Sequence, residues 1–187
     1  MRNIVYLMNL SLDGFIEGPD GKFGWSRPDE EVHRFHNRQA SDMGAFLYGR
    51  RMYETMAGWQ TMDSDLSLPD YVLEFARIWK EKPKIVFSNT LKTVGQNCRL
   101  VQGDIATEVA ELKRQTGGDL GVGGAGLASA LARLGLIDEY RLVFSPIIVS
   151  GGKSYFPALD KELRLQLVET RTFSNGAVYL RYRSEGN

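Results

Sequence analysis

The sequence predicts an α/β protein in which a mostly parallel sheet is wrapped by helices and edged by antiparallel strands. Three observations carry that class. Short apolar, strand-like runs alternate with stretches of helical period as far as Leu134. From Tyr140 onward only strand-like segments follow. Ser174-Asn175-Gly176, with the turn chemistry of a hairpin, joins the last two of them. A length of 187 residues suits one domain over 1–187, large enough to build a core without covalent staples.

Each element follows in chain order. Residues 4–12 are apolar and strand-like and run directly into Asp13-Gly14. Residues 13–27 read as a long loop, because Glu17-Gly18-Pro19-Asp20-Gly21 is turn chemistry. A loop that carries Phe23 and Trp25 is either packed down as a lid or touching a ligand. Pro28-Asp29-Glu30-Glu31 opens a helix that runs to Ser41 with Val32, Phe35 and Ala40 on one face. Residues 45–48 form a short buried strand, and Gly49-Arg50-Arg51-Met52-Tyr53-Glu54 opens a helix ending near Gly58. Residues 59–69 look irregular. Val72, Phe75, Ala76 and Trp79 mark a helix over 70–81, closed by Pro83.

Residues 84–87 are a strand ending in Ser88-Asn89, and 99–101 another. Asp104 caps a helix reaching about Gln115. A brief strand at 119–122 leads through Gly123-Gly124-Ala125-Gly126 into a helix at 127–134. A long apolar strand is expected at 140–149. The hairpin strands are expected at 163–173 and 177–182.

Composition narrows the function. Hydrophobic residues make up 43% and charged residues 25%, which excludes disorder as the main state. The 23 basic residues cancel the 23 acidic ones, which argues against general nucleic-acid binding. No apolar run approaches the ~18 residues of a membrane helix, and the first nine residues do not read as a secretory signal. Cys98 stands alone, so a reduced, cytoplasmic setting is expected. His33 and His36 are the only histidines, which argues against a Cys/His zinc site. They read as helix-surface residues, and Met8, Met52 and Met56 as core fillers.

Gly121, Gly123 and Gly126 match G-x-G-x-x-G between a strand and a helix. Such a turn is either a close-packed connection or a cradle for a pyrophosphate at a helix N-terminus. It lies too late in the chain for a Rossmann domain, and the acids that follow, Asp138 and Glu139, come too early. Gly49-Arg50-Arg51 follows a buried strand in the same way, either as a solvated basic pair or as an anion site. Ser88-Asn89 ends a third strand. Ligands of α/β sheets gather at strand carboxyl ends, so the conjunction says more than any member.

In this order the pieces resemble the dihydrofolate reductase superfamily, most closely the reductase domain of the riboflavin-biosynthesis deaminase-reductase and its stand-alone relatives. The resemblance rests on Ser11-Leu12-Asp13-Gly14-Phe15-Ile16, the Gly49-Arg50-Arg51 segment and Val86-Phe87-Ser88-Asn89. It continues through Val122-Gly123-Gly124-Ala125-Gly126, Leu136-Ile137-Asp138-Glu139 and Phe156-Pro157. It implies a three-layer fold on a central mixed, mostly parallel sheet of about eight strands, with NADPH as hydride donor.

By that resemblance Gly49, Arg50 and Arg51 hold the adenosine phosphates, with Arg50 or Arg51 on the 2′-phosphate. Ser88 and Asn89 lie along the adenosine side. Gly123, Gly124, Ala125 and Gly126 take the pyrophosphate, and Ile16 and Asn9 border the nicotinamide. On the substrate side it points to Asp13 and Glu31 as candidate acids, Glu30 being the alternative to Glu31, with Trp25 and Tyr53 as candidate stacking residues. Deamination is not expected, because H-x-E and P-C-x-x-C are absent from this chain. The expected function is hydride transfer from NADPH to a small heterocycle. The competing class is a non-catalytic nucleotide-binding module. A homodimer joined through Phe144, Ile147 and Ile148 is also expected.

Overall fold

The computed structural model describes residues 1–156, 158–159 and 162–185. Pro157, part of the Phe156-Pro157 match, lies outside the described residues. Six helices and ten strands follow in the order β1 (Ile4–Ser11), β2 (Phe15–Glu17), α1 (Glu30–Asp42), β3 (Ala45–Gly49), α2 (Arg50–Met56), α3 (Trp59–Met62), α4 (Asp70–Glu81) and β4 (Lys84–Phe87). The chain continues through β5 (Cys98–Val101), α5 (Ile105–Arg114), β6 (Leu120–Gly123), α6 (Ala125–Arg133), β7 (Glu139–Ser145), β8 (Lys153–Ser154), β9 (Leu165–Thr172) and β10 (Val178–Ser184).

Eight strands form one sheet in the order β5-β4-β3-β6-β1-β7-β10-β9. The first six are parallel; β10 and β9 run antiparallel at the edge. This is the mixed, mostly parallel sheet with a C-terminal hairpin that the sequence predicts. β6 is inserted between β3 and β1, so the carboxyl ends of three buried strands lie side by side. On one face Val109 and Leu112 of α5 and Leu127, Ala128 and Leu131 of α6 pack on Ile4, Tyr6 and Val122. On the other, Ala40 of α1 and Trp79 of α4 pack on Val5, Phe46 and Tyr48. Two helical layers thus enclose the sheet, each burying its apolar stripe.

Asp104 caps its helix as expected, whereas Asp29, expected inside the first turn, is the N-cap of α1. The Asp29 carboxylate accepts the Val32 N–H at 3.0 Å, and that of Asp104 accepts the Thr107 N–H at 2.7 Å. Helix α4 occupies the expected 70–81.

Four expectations are corrected. The 13–27 loop contains β2 and a single 3-10 turn at Gly24–Ser26. The stretch after Gly58 holds the one-turn helix α3. Helix α6 begins at Ala125, two residues early, because Gly124 at φ +83° turns the chain in a single step. Strand β7 stops at Ser145, since Pro146 has no N–H for the ladder.

β2 pairs with β8 in a small separate sheet, with Phe15 opposite Ser154 and Glu17 opposite Lys153. Gly152 makes that approach feasible. At φ +118°, an added Cβ there would lie 2.0 Å from the Glu17 carbonyl oxygen. Among the described residues no helix is long and apolar enough to cross a membrane.

Candidate functional site

A cavity of about 950 Å³ opens over the carboxyl ends of β1, β3 and β6. Its floor is Met8 and Asn9, Tyr48 and Gly49, and Val122 and Gly123. One end is formed by Gly124 and by Ala125 and Gly126 of α6, with Arg50 and Arg51 of α2. The other lies beneath His33, His36 and Gln39 of α1, beside Met43, Phe46, Met52, Met56, Trp59 and Phe75. Ile16, Glu17 and Lys153 border it from the small sheet.

The glycine turn separates the two readings left open by the sequence. An added Cβ at Gly123 would lie 2.7 Å from the Tyr48 ring, and one at Gly124 would lie 2.9 Å from Met52 Cβ. These two are glycines because the turn is close-packed. Gly126 differs: its Cβ would meet nothing within 4 Å, and it lines the cavity. Packing does not explain it, and the open space in front of it leaves the start of α6 accessible from the cavity. The first N–H groups of any helix lack intrahelical acceptors, and Gly124 supplies no side-chain cap to α6. An anion at this wall meets those donors and the positive end of the helix dipole.

The two arginines differ as well. Arg50 donates through Nε to Glu54 at 2.8 Å and through a terminal nitrogen to Thr90 at 3.0 Å. Arg51 makes no ion pair with any described residue and is exposed on the cavity wall. Ser88 and Asn89 do not line the cavity, whose wall ends at Phe87 on that strand. The Ser88 hydroxyl instead accepts the N–H groups of Thr90 and Leu91, shaping the turn that holds Arg50.

The candidate acids lie elsewhere. The Asp13 carboxylate accepts the N–H groups of Val149 at 3.2 Å and Ser150 at 2.8 Å, fastening the loop after β7. A hydrogen bond from the Ser11 side chain, with those backbone donors, lowers its pKa below the usual carboxylate value. Glu31 accepts from the Ser174 N–H, the Ser174 hydroxyl and Arg171, bracing α1 against the hairpin. The two Ser174 bonds and then Arg171 lower its pKa. Neither side chain lines the cavity; each sits where an N–H-rich turn captures it. Glu30 pairs with Arg34. Tyr53 is likewise outside, its hydroxyl accepting the Gly95 N–H at 2.8 Å. Trp25 borders a smaller pocket of about 190 Å³ that shares Asn9 with the main cavity.

The cavity wall under α1 is lined by a different stripe of that helix. The histidines do not sit on an outer helix surface, and Met8, Met52 and Met56 line the cavity as well as filling the core. His33, His36, Ala40 and Met43 recur at helical spacing beside the Val32-Phe35 stripe, and that spacing was the available signal. Asn37 donates to the Tyr71 carbonyl at 2.8 Å and to Glu74 at 2.6 Å, so its oxygen accepts from Nδ1 of His33 at 3.1 Å. His36 Nε2 lies 2.7 Å from Asn9 Oδ1. Burial, and then the neighbouring His33, push the His36 pKa down to about 4, so its ring is neutral at neutral pH. Among the described residues no group of three or more His, Cys, Asp or Glu is placed to hold a metal ion.

A mostly parallel eight-stranded sheet, with a glycine turn and arginines over the carboxyl ends of its central strands, defines a dihydrofolate-reductase-like α/β domain. Within that class the chain belongs to the RibD C-terminal domain family, whose sequence model matches residues 2–179. It is 33% identical to YyaP of Bacillus subtilis (strain 168), over 99% of this chain and 96% of that protein. Two solved structures show the shared fold. A putative riboflavin biosynthesis protein from Shewanella sp. PV-4 superposes with a TM-score of 0.76 at 23% identity, covering 99% of each chain. Dihydrofolate reductase from Enterococcus faecalis, complexed with NADP(H) and RAB-propyl, gives 0.66 at 14% identity over 98% of this chain and 96% of that one.

Proposed function

We propose that this protein is an NADPH-dependent reductase that transfers hydride to a small, flat heterocycle of the pterin or flavin-precursor type. The observation that carries the reading is one continuous cavity. It joins an anion-compatible end at Gly126 and Arg51 to an apolar, aromatic and methionine-rich chamber under α1. Family membership and the fold shared with an NADP(H)-bound reductase support it.

NADPH, when bound, supplies the hydride. The first turn of α6, with Gly123, Gly124, Ala125 and Gly126, holds its pyrophosphate. Arg51 takes the 2′-phosphate as a free guanidinium fork. Arg50, tied to Glu54 and Thr90, and Gly49 shape that wall, and Ser88 and Asn89 act indirectly through the same turn. Ile16 and the Asn9 backbone border the nicotinamide. Met43, Phe46, Met52 and Trp59 exclude water and align the rings, which lowers the barrier mainly through orientation. Asp13 and Glu31 hold loops. Glu17, the one carboxylate on the cavity wall among the described residues, is the side chain best placed to pass a proton from solvent to the substrate.

The test is loss of reduced-nicotinamide absorbance on mixing protein, NADPH and candidate pterins or flavin precursors. Turnover with at least one supports the reading. NADPH binding without turnover of any acceptor would assign the domain to nucleotide binding alone, and no NADPH binding would overturn the site.

A further inference from the structure

The chamber under α1 has a polar side whose orientation is dictated from outside it. Gln39 lines the cavity, and its side-chain oxygen accepts a hydrogen bond from Arg141 on β7. A guanidinium has donors only, so the amide cannot be reversed without setting N–H against N–H. Arg141 is itself fixed, because its Nε donates to Glu139 at 2.5 Å and Glu139 also takes Arg181 at 2.8 Å. Glu139 is 4% exposed and Arg141 7%. With its oxygen held, Gln39 has only N–H groups left, and these bond to no described residue. Asn9 is not aimed in this way: its amide lies 2.7 Å from Nε2 of His36, a neutral ring that donates or accepts according to its tautomer.

We propose that Gln39 is a specificity-determining residue that presents amide N–H groups to the substrate, with Arg141 as the positioning residue that aims it. Resting on the reductase reading, this selects an uncharged ring carrying carbonyl oxygens over one carrying amino groups. A buried donor facing a ring amino group is left unpaired, and that mismatch discriminates strongly. The charges agree. Arg50, Arg51 and Lys153 face the cavity against Glu17, the one lining carboxylate among the described residues, a balance that disfavours a cationic ring.

The test compares two probes on one bicycle. Lumazine carries two carbonyls, and 2,4-diaminopteridine carries two amino groups in their place. Wild type should bind lumazine at least about tenfold more tightly, with or without NADPH. Gln39→Glu keeps the bond to Arg141 and removes the donors. It should erase most of that preference while leaving NADPH affinity within about twofold. Arg141→Met should weaken lumazine binding several-fold with NADPH affinity unchanged, and Arg141→Lys should recover part of the loss. Arg181 still pairs with Glu139 in both variants; if Arg141→Met does not fold, Gln39→Glu decides alone. Tighter binding of 2,4-diaminopteridine, a preference unaltered in Gln39→Glu, or no binding of either probe at millimolar concentration would overturn the proposal. A retained preference with no NADPH binding would support this recognition and overturn the cofactor reading instead.

Discussion

Gly124 and Gly126 sit two residues apart, and only one of them is free to change. Gly124 combines φ +83° with a Cβ position 2.9 Å from Met52, so Gly124→Val strains the turn and costs about 2 kcal/mol or more of stability. Gly126→Val projects into the cavity from a helical position with nothing within 4 Å, so thermal stability should hardly move while NADPH affinity falls at least about tenfold. Equal loss of stability in both would show that the turn is structural throughout. Titration separates a second set of residues. Asp13 and Glu31 have lowered pKa values, so the stability they contribute is present above the usual carboxylate range and is lost as pH falls through the folded values. His36, lowered from 6.5 to about 4, stays neutral in the fold while the unfolded chain takes up a proton. Stability therefore drops between pH 6.5 and 4, by at most about 3 kcal/mol. Denaturant titrations across that range should show the His36 loss vanish in His36→Gln. Asp13→Asn and Glu31→Gln should flatten the acid limb below about pH 4.5 and keep turnover within a few-fold. A hundredfold loss of turnover in either would return that acid to the chemistry.

Elements were legible where local rules act alone. Asp104 announces its helix because a carboxylate at an N-cap satisfies an orphan N–H, whatever lies far away. The parallel order followed from alternating strands and helices, and the edge hairpin from Asn175-Gly176. The β2–β8 sheet was not legible. It pairs three residues with two across more than 130 positions, and its signal is the absence of a side chain at Gly152. The candidate acids fall outside the cavity wall for a related reason. Asp13-Gly14 and Glu30-Glu31 carry the right chemistry near the right strand. Which way a carboxylate turns depends on distant N–H donors at Val149, Ser150 and Ser174. The same long-range placement hid Gln39, whose partner Arg141 is 102 residues away. At this scale Gly152→Ala should push β8 off the Glu17 carbonyl and displace Lys153 from the cavity rim. Faster amide exchange confined to β2 and β8, with the eight-stranded sheet still protected, is the expected result. Unchanged exchange would mean that this contact does not seat the small sheet.

At the scale of the whole molecule, the sheet is a platform that brings three strand ends under one cavity while the hairpin edge braces it from β7. Of the three residues expected at a homodimer contact, Phe144 packs against the core, whereas Ile147 and Ile148 are exposed beyond the end of β7. That leaves a smaller apolar contact than the sequence suggested. The proposed reductase activity requires this platform to hold NADPH with its 2′-phosphate on Arg51. Titration of the wild type with NADPH and with NADH, repeated on Arg51→Gln, tests it most directly. NADPH should bind in the micromolar range, about −8 kcal/mol, and at least about tenfold more tightly than NADH. Arg51→Gln should remove most of that difference by weakening NADPH alone. NADH binding as tightly as NADPH to the wild type, or an Arg51→Gln protein that keeps the full preference, would contradict it.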